Sequence, residues 1–256
     1  MAHPCSFRCW IGTKERCVQK RRATKRLSKT YLVTGASSGI GLAIVRCVTA
    51  EGHDVIATGR RPHASLPADY PDIAYHKLDL TETASLKRFI DQHVDGVDRA
   101  LLCAGAGFYR SLAEENARDV EHIVSINLTA QIRLAHALYA KLAARQGRLG
   151  LVGSVAHKGA AAMPVYAATK AALDGFGRAL ALEWQDRVAV RVLHPGPTST
   201  GMAERAGRPA DWLSKLMLPP NAVAEMIIDG LEGNRGYRQT LSYGRYLPRL
   251  LLRAVR

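Results

Sequence analysis

Tyr166 and Lys170 stand four residues apart, and Ser154 precedes the tyrosine by twelve. Side chains of these types can move a proton at neutral pH. If VYAATKAALDGFGRALALEW is helical, positions i and i+4 share one face a turn apart, so the ammonium reaches across to its neighbour's phenol. An unperturbed tyrosine titrates near about 10, and a nearby cation favours tyrosinate, which brings the phenol towards use as a general acid or base. Ser154 supplies a hydroxyl to hold the reacting oxygen. Alone the triplet is a weak signal, because a Tyr and a Lys one turn apart on a helix are usually a surface pair without chemistry.

A second motif lies near the start of the folded part. After a strand reading KTYLVTG, the run Thr34, Gly35, Ala36, Ser37, Ser38, Gly39, Ile40, Gly41 leads into the apolar helix LAIVRCV. The glycines let the backbone turn tightly and approach a pyrophosphate, whose charge meets free N–H groups and the positive end of the helix. A turn that serves packing alone is the competing reading, and the strand-glycine-helix order weighs against it. The missing Gly-Lys-Ser/Thr ending excludes a P-loop.

From Thr30 onward, short β-branched or apolar runs alternate with longer amphipathic stretches, the pattern of a parallel sheet covered by helices. Strands are expected at 31–34, 54–58, 73–78, 99–104, 148–154, 188–195 and 238–243, and helices at 40–51, 84–94, 118–145, 165–185 and 221–232. The fold class is α/β: one doubly wound Rossmann domain with a seven-stranded, mostly parallel sheet and helices on both faces. Between Pro195 and Pro220 periodicity fades and Gly, Pro, Met and Trp collect, so about 197–218 reads as a substrate lid beyond a strand's carboxyl end.

The composition, 47% hydrophobic and 23% charged in 256 residues, suits one globular domain, and no run of about 18 apolar residues offers a spanning helix. The net charge of +14 is concentrated: residues 1–29 hold nine Lys or Arg against Glu15. Residues 1–28 therefore read as a disordered basic extension outside a domain at 29–256, and first of all as a misassigned start. An organelle-targeting peptide and a polyanion-binding arm rank second and third, and a secretory signal is disfavoured. Specific nucleic-acid binding is not expected. Cys5, Cys9 and Cys17 lie in this extension without the paired spacing of a zinc site, so no metal is expected, and the five cysteines fit reduced thiols in the cytoplasm.

Together, TGASSGIG, Asn127, Ser154, Tyr166-x-x-x-Lys170 and PGPTST at 195–200 stand in the order and spacing of short-chain dehydrogenases/reductases, and the chain resembles that family over nearly all of 29–256. The resemblance implies an oxidoreductase that moves a hydride between a nicotinamide cofactor and a carbonyl or alcohol. It implies Tyr166 as general acid or base, Lys170 lowering its pKa and bonding the nicotinamide ribose, and Ser154 orienting the substrate oxygen. Asn127 completes the tetrad by holding a water beside Lys170, with a satisfied core amide as its alternative. Gly35, Ser37, Ser38, Gly39, Ile40 and Gly41 would bind the pyrophosphate side. Leu80, Ala104 and Gly105 would line the cofactor's path, with Pro195 and Gly196 beneath the nicotinamide and Thr198 and Thr200 as polar contacts. Asp79 would bond the adenine amino group or cap the following helix. Where NAD-dependent relatives carry an acid after the second strand, this chain reads Gly59, Arg60, Arg61. A carboxylate would repel a 2′-phosphate and a guanidinium binds it, so NADP is expected, with NAD as the alternative. The family's Asn-Asn-Ala-Gly is here Leu102, Cys103, Ala104, Gly105, which puts one sheet-stabilising bond in doubt, and Cys103 reads as a small hydrophobe rather than a catalyst.

Phe108, His157, Met163, Met202, Trp212 and Met217 are candidate walls of a hydrophobic or amphipathic substrate pocket, and each could equally be core. A sugar-nucleotide epimerase or dehydratase shares Tyr-x-x-x-Lys but needs more than the roughly 60 residues after Pro195. A non-catalytic NADP-binding regulator would keep the fold without needing the intact catalytic set. Assembly as a homodimer or homotetramer through the two long helices is the family default. The tail GRYLPRLLLRAVR offers at most peripheral membrane contact, after packing or subunit contact.

Overall fold

The computed structural model describes residues 28–207, 217–234 and 236–241. The basic extension up to residue 27, Trp212 with the middle of the expected lid, the last two residues of the expected seventh strand and the arginine-rich tail lie outside the described residues. The strands are β1 (Thr30–Thr34), β2 (Asp54–Gly59), β3 (Ala74–Lys77), β4 (Arg99–Leu102), β5 (Arg148–Val152), β6 (Ala189–Pro195) and β7 (Arg238–Leu241). The helices are α1 (Gly39–Ala50), α2 (Thr83–His93), α3 (Ala117–Val124), α4 (Ala130–Ala143), α5 (Pro164–Glu183), α6 (Gly201–Arg205) and α7 (Pro220–Glu232).

All seven strands join one sheet in the order β3-β2-β1-β4-β5-β6-β7, and every adjacent pair is parallel. The expected doubly wound sheet is therefore the fold. Parallel strands need crossovers, and the helices that supply them bury both faces, which explains why the strands are apolar on both sides. Alternation along each strand divides the core. Leu32, Ala100, Leu102, Leu149, Leu151 and Val192 pack on α2, α4 and α5, whereas Tyr31, Val33, Leu101, Val152 and Leu193 pack on α1 and α7. Strand order reverses between β1 and β4, and in such sheets a crevice opens there at the carboxyl ends. No described helix is long and apolar enough to cross a membrane.

One expected helix is present with a local irregularity. The stretch predicted as continuous over 118–145 is α3 and α4 joined by a π-turn at Ser125–Thr129. Asn127 lies in that turn, and its amide bonds backbone groups outside the helix, a constraint that hydrophobic periodicity does not record.

The amino edge of the sheet is fastened by charge. Glu232, ending α7, accepts from Lys29 at 2.8 Å, from the Tyr31 hydroxyl at 3.0 Å and from Arg99 at 2.5 and 3.2 Å. Burial by itself raises its carboxyl pKa, but the hydrogen bonds and charges of Arg99 and Lys29 outweigh this and hold it at about 2. A depressed pKa contributes stability that is present above the unfolded value near about 4.3 and is lost as pH falls through the folded one. Glu232→Gln is expected to lower unfolding free energy at pH 7 by about 2 kcal/mol in urea titrations. The gap to the unsubstituted protein should shrink as pH falls from about 4.3 towards 2.

Candidate active site

The turn from β1 to α1 is shaped by close backbone contact. Gly35 has φ +66°, and a Cβ there would lie 2.8 Å from Ala104 Cα, while a Cβ on Gly41 would run into the Gly35 carbonyl oxygen. The loop after β4 is drawn against this turn because Thr34 Oγ1 accepts from the N–H groups of Cys103 and Ala104 at 3.0 and 3.2 Å. No side chain caps α1, Ser38 included, and its first turn carries no acid, so the positive end of a 12-residue helix opens into the cleft.

Across the crevice, β5 ends and Ser154 caps a short 3-10 turn at Val155–Lys158, its Oγ accepting from the Ala156 N–H at 3.2 Å. Pro164 at the first position then starts α5, where a missing N–H costs nothing. Tyr166 and Lys170 lie on that helix beside the cleft, which Ser154 lines as well, and the serine hydroxyl is near enough to the Tyr166 phenol to favour its ionised form. Lys170 is only 4% exposed and its Nζ donates to the Val152 carbonyl at 2.8 Å. Desolvation pushes the ammonium down to about 8, which leaves it mainly cationic at pH 7.

The expected lowering of the Tyr166 pKa is not what this geometry gives. Burial is the largest influence and raises it, against a smaller downward effect of the Ser154 hydroxyl. Lys170 Nζ lies 5.6 Å from the ring centroid with a hydrogen bond spent on Val152. The phenol is thereby kept protonated, a form able to donate a proton.

Asn127 is fully buried and bridges segments. Its Oδ1 accepts from the Ala106 N–H at 2.8 Å, and its Nδ2 donates to the Ala106 carbonyl at 2.8 Å and to Thr169 Oγ1 at 3.1 Å. It is thus a satisfied core amide placed beside the site. A Cβ on Gly105 would lie 3.1 Å from Asn127 Oδ1 and 3.7 Å from Lys170 Nζ, so both surround the same glycine.

These groups meet in one cleft of about 810 Å³. Its wall includes Gly35, Ser37, Ser38, Gly39, Ile40, Gly41, Arg60, Arg61, Leu80, Ala104, Gly105, Ser154, Tyr166, Lys170, Pro195, Gly196, Thr198 and Thr200, together with Met163, Met202 and Met217. Backbone bonds between Pro197, Ser199 and Leu218 join the two ends of the expected lid segment. Tyr109 and Arg205 also line the cleft, though no motif singled them out.

Four expected residues stand outside that wall. Asp79 turns back on the chain: one carboxylate oxygen takes the Thr81 N–H and hydroxyl at 2.9 and 2.7 Å. Burial raises its pKa, but the Thr81 bonds prevail and the net shift is downward. The helix cap proper is Glu82, so Asp79 shapes the preceding turn. Phe108 lies under the Arg110 guanidinium, 4.6 Å from its carbon. His157 stacks on His194 with centroids 4.0 Å apart and bonds the Ser154 carbonyl at 2.7 Å. Asn127 is set back behind Gly105. Cys103 touches the cleft, and desolvation pushes its thiol up to about 12, away from reactive thiolate.

A doubly wound parallel sheet with a Ser-Tyr-Lys set in a cleft at its carboxyl edge is the architecture of a class of oxidoreductases. The family model for short chain dehydrogenases matches residues 29–210, and the chain belongs to the short-chain dehydrogenase/reductase family. Among curated relatives, the 3-oxoacyl-(acyl-carrier-protein) reductase FabG of Escherichia coli is 34% identical over 221 residues, covering 78% of this chain and 90% of that one. A cyclic-di-GMP-binding biofilm dispersal mediator protein of the same organism is 32% identical over 211 residues, covering 78% and 87%. The alcohol dehydrogenase of Thermococcus sibiricus, solved with 5-hydroxy-NADP, superposes with a TM-score of 0.71 at 25% identity, covering 84% of this chain and 96% of that one.

Removing the Asn127 amide leaves the Ala106 N–H and carbonyl without these partners inside the protein. Asn127→Ala is expected to lose about 2 kcal/mol of stability in urea unfolding, with the loop after β4 showing faster amide exchange.

Proposed function

We propose that this protein transfers a hydride between NADP(H) and a carbonyl or alcohol of hydrophobic or amphipathic character. The observation that carries this reading is that Ser154, Tyr166 and buried Lys170 line the same cleft as the glycine cradle. The cradle fits a dinucleotide, since the contacts at Gly35 and Gly41 leave no room for side chains and the uncapped α1 end suits a pyrophosphate. When bound, the nicotinamide supplies or accepts the hydride at the substrate carbon.

The chain's own residues do the rest. Ser154 and the Tyr166 hydroxyl hold the substrate oxygen, and Tyr166 gives its proton to that oxygen as negative charge develops there during reduction. Lys170 provides positive charge beneath the phenol and a donor for a ribose hydroxyl, and Asn127 keeps the Lys170 neighbourhood rigid. Exposed Arg60 and Arg61 at the cleft end beyond β2 favour a 2′-phosphate. Met163, Met202 and Met217 give the substrate end an adaptable apolar wall. The match to a cyclic-di-GMP-binding protein favours one second reading, a nucleotide-binding regulator without turnover.

Purified protein given NADPH and a panel of ketones should oxidise the cofactor, and Tyr166→Phe should lower kcat about 100-fold or more. Arg60→Ala with Arg61→Ala should raise KM for NADPH about tenfold while leaving NADH little changed. Tight NADPH binding without turnover of any carbonyl points to the regulator.

We also infer a homo-oligomer. An apolar groove of about 420 Å³ is lined by Leu112, Val124, Leu128, Pro164, Val165, Ala168 and Ala172, and Ile132 and Tyr139 are exposed on α4. A second copy presenting the same helices would cover both faces by two-fold symmetry. Light scattering should report a dimer or tetramer, and Val124→Asp should shift it towards monomer; a monomeric unsubstituted protein would falsify this assembly.

A further inference from the structure

A polar pair behind Ser154, of a buried histidine and a half-buried aspartate, plays no part in the proton transfer described so far. His194, near the end of β6, is fully buried. Its Nε2 lies 2.9 Å from Asp174 Oδ1, and its Nδ1 lies 3.2 Å from the Ser154 nitrogen and 3.0 Å from the Ser154 carbonyl oxygen. An ionised carboxylate only accepts, so Nε2 carries the hydrogen. The Ser154 carbonyl is met by His157 Nδ1 at 2.7 Å, and a carbonyl also only accepts, so that hydrogen comes from His157. With the single hydrogen of a neutral ring on Nε2, His194 Nδ1 is unprotonated and receives the Ser154 N–H. A second proton on His194 would set a cation against the His157 ring, whose centroid is 4.0 Å away, in a site shut off from water. The approach is tight: a Cβ on Gly153 would collide with His194 Nδ1.

The other end of the pair is on α5. Asp174 follows Lys170 by four residues and Tyr166 by eight, which places all three on one helix face. Its second oxygen is 3.3 Å from Arg238 Nη1, so the carboxylate is braced from β7 as well.

We propose that Asp174 and His194 are positioning residues for Ser154: Asp174 fixes the tautomer and tilt of His194, and His194 fixes the backbone from which the serine hydroxyl projects. The α5 face that carries Tyr166 and Lys170 thereby also sets the distance between Ser154 and Tyr166. Both hydroxyls that meet the substrate oxygen are registered to a single rigid element. This role rests on the oxidoreductase reading above.

Asp174→Ala should lower kcat about tenfold, with the dissociation constant of NADPH, followed by its fluorescence, changed less than about twofold. Asp174→Asn, whose amide oxygen still accepts from Nε2–H, should recover most of that loss. In a Ser154→Ala background, Asp174→Ala should have no further effect on kcat, since the hydroxyl it positions is gone. Nitrogen-15 spectra of the unsubstituted protein at pH 7 should find His194 neutral with its proton on Nε2, a readout that needs neither turnover nor a variant. An inactive unsubstituted protein overturns the oxidoreductase reading and this role with it. An active one with equal losses in both backgrounds, or with His194 protonated on Nδ1, overturns the positioning role alone.

Discussion

An ammonium taken out of water needs partners, and the Lys170 side chain imposes that requirement on everything around it. Desolvating a charge costs several kcal/mol unless hydrogen bonds replace the lost hydration. At 4% exposure Lys170 has one such bond in hand, from Nζ to the Val152 carbonyl at the carboxyl end of β5. Glycine at 105 leaves the space beside Nζ unfilled, and Asn127 closes that space from behind. The lysine consequently faces a cleft instead of solvent, where its Nζ is open to a bound hydroxyl.

Rigid elements carry the consequences of this burial. Helix α5 is 20 residues long and packs on the sheet through Leu173 and Leu180, so the residues on its cleft face share one frame. The α3–α4 stretch packs alongside, and its π-turn lets the Asn127 amide pair with both backbone groups of Ala106. The loop after β4 is thereby clamped from two directions, by Asn127 and by the Thr34 hydroxyl. Precision at the cleft comes from these fixed backbones more than from any one side chain.

The two edges of the sheet divide the work. At the amino edge, Glu232 binds Lys29, Tyr31 and Arg99 and ties α7 to β1 and β4, a charge cluster that serves stability. At the carboxyl edge, the start of α1 has no side-chain cap and Arg60 and Arg61 line the cleft, which suits an anionic ligand. A parallel sheet makes this separation natural, because every strand points the same way and every crossover returns to the same side.

Much of this was legible in the residues. Alternating apolar runs and amphipathic stretches specify a helix-covered parallel sheet because each pattern has only one way to bury its face. Glycine spacing with Tyr166, Lys170 and Ser154 marks the chemistry because few other residues can turn a backbone onto a phosphate or shift a proton. What tertiary structure alone decided are the matters of distance and desolvation. Burial reverses the expected shift of the Tyr166 phenol, and a π-turn sits inside the long helix that periodicity reads as regular. Asp79 spends an oxygen on Thr81, and His157 faces His194 rather than the cleft. Asp174 and His194 are 20 residues apart in the chain and meet only because β6 lies against α5. The tyrosine and lysine are thus prescribed locally, one turn apart on a helix, whereas the solvent they lose and the partners they meet depend on segments distant in sequence.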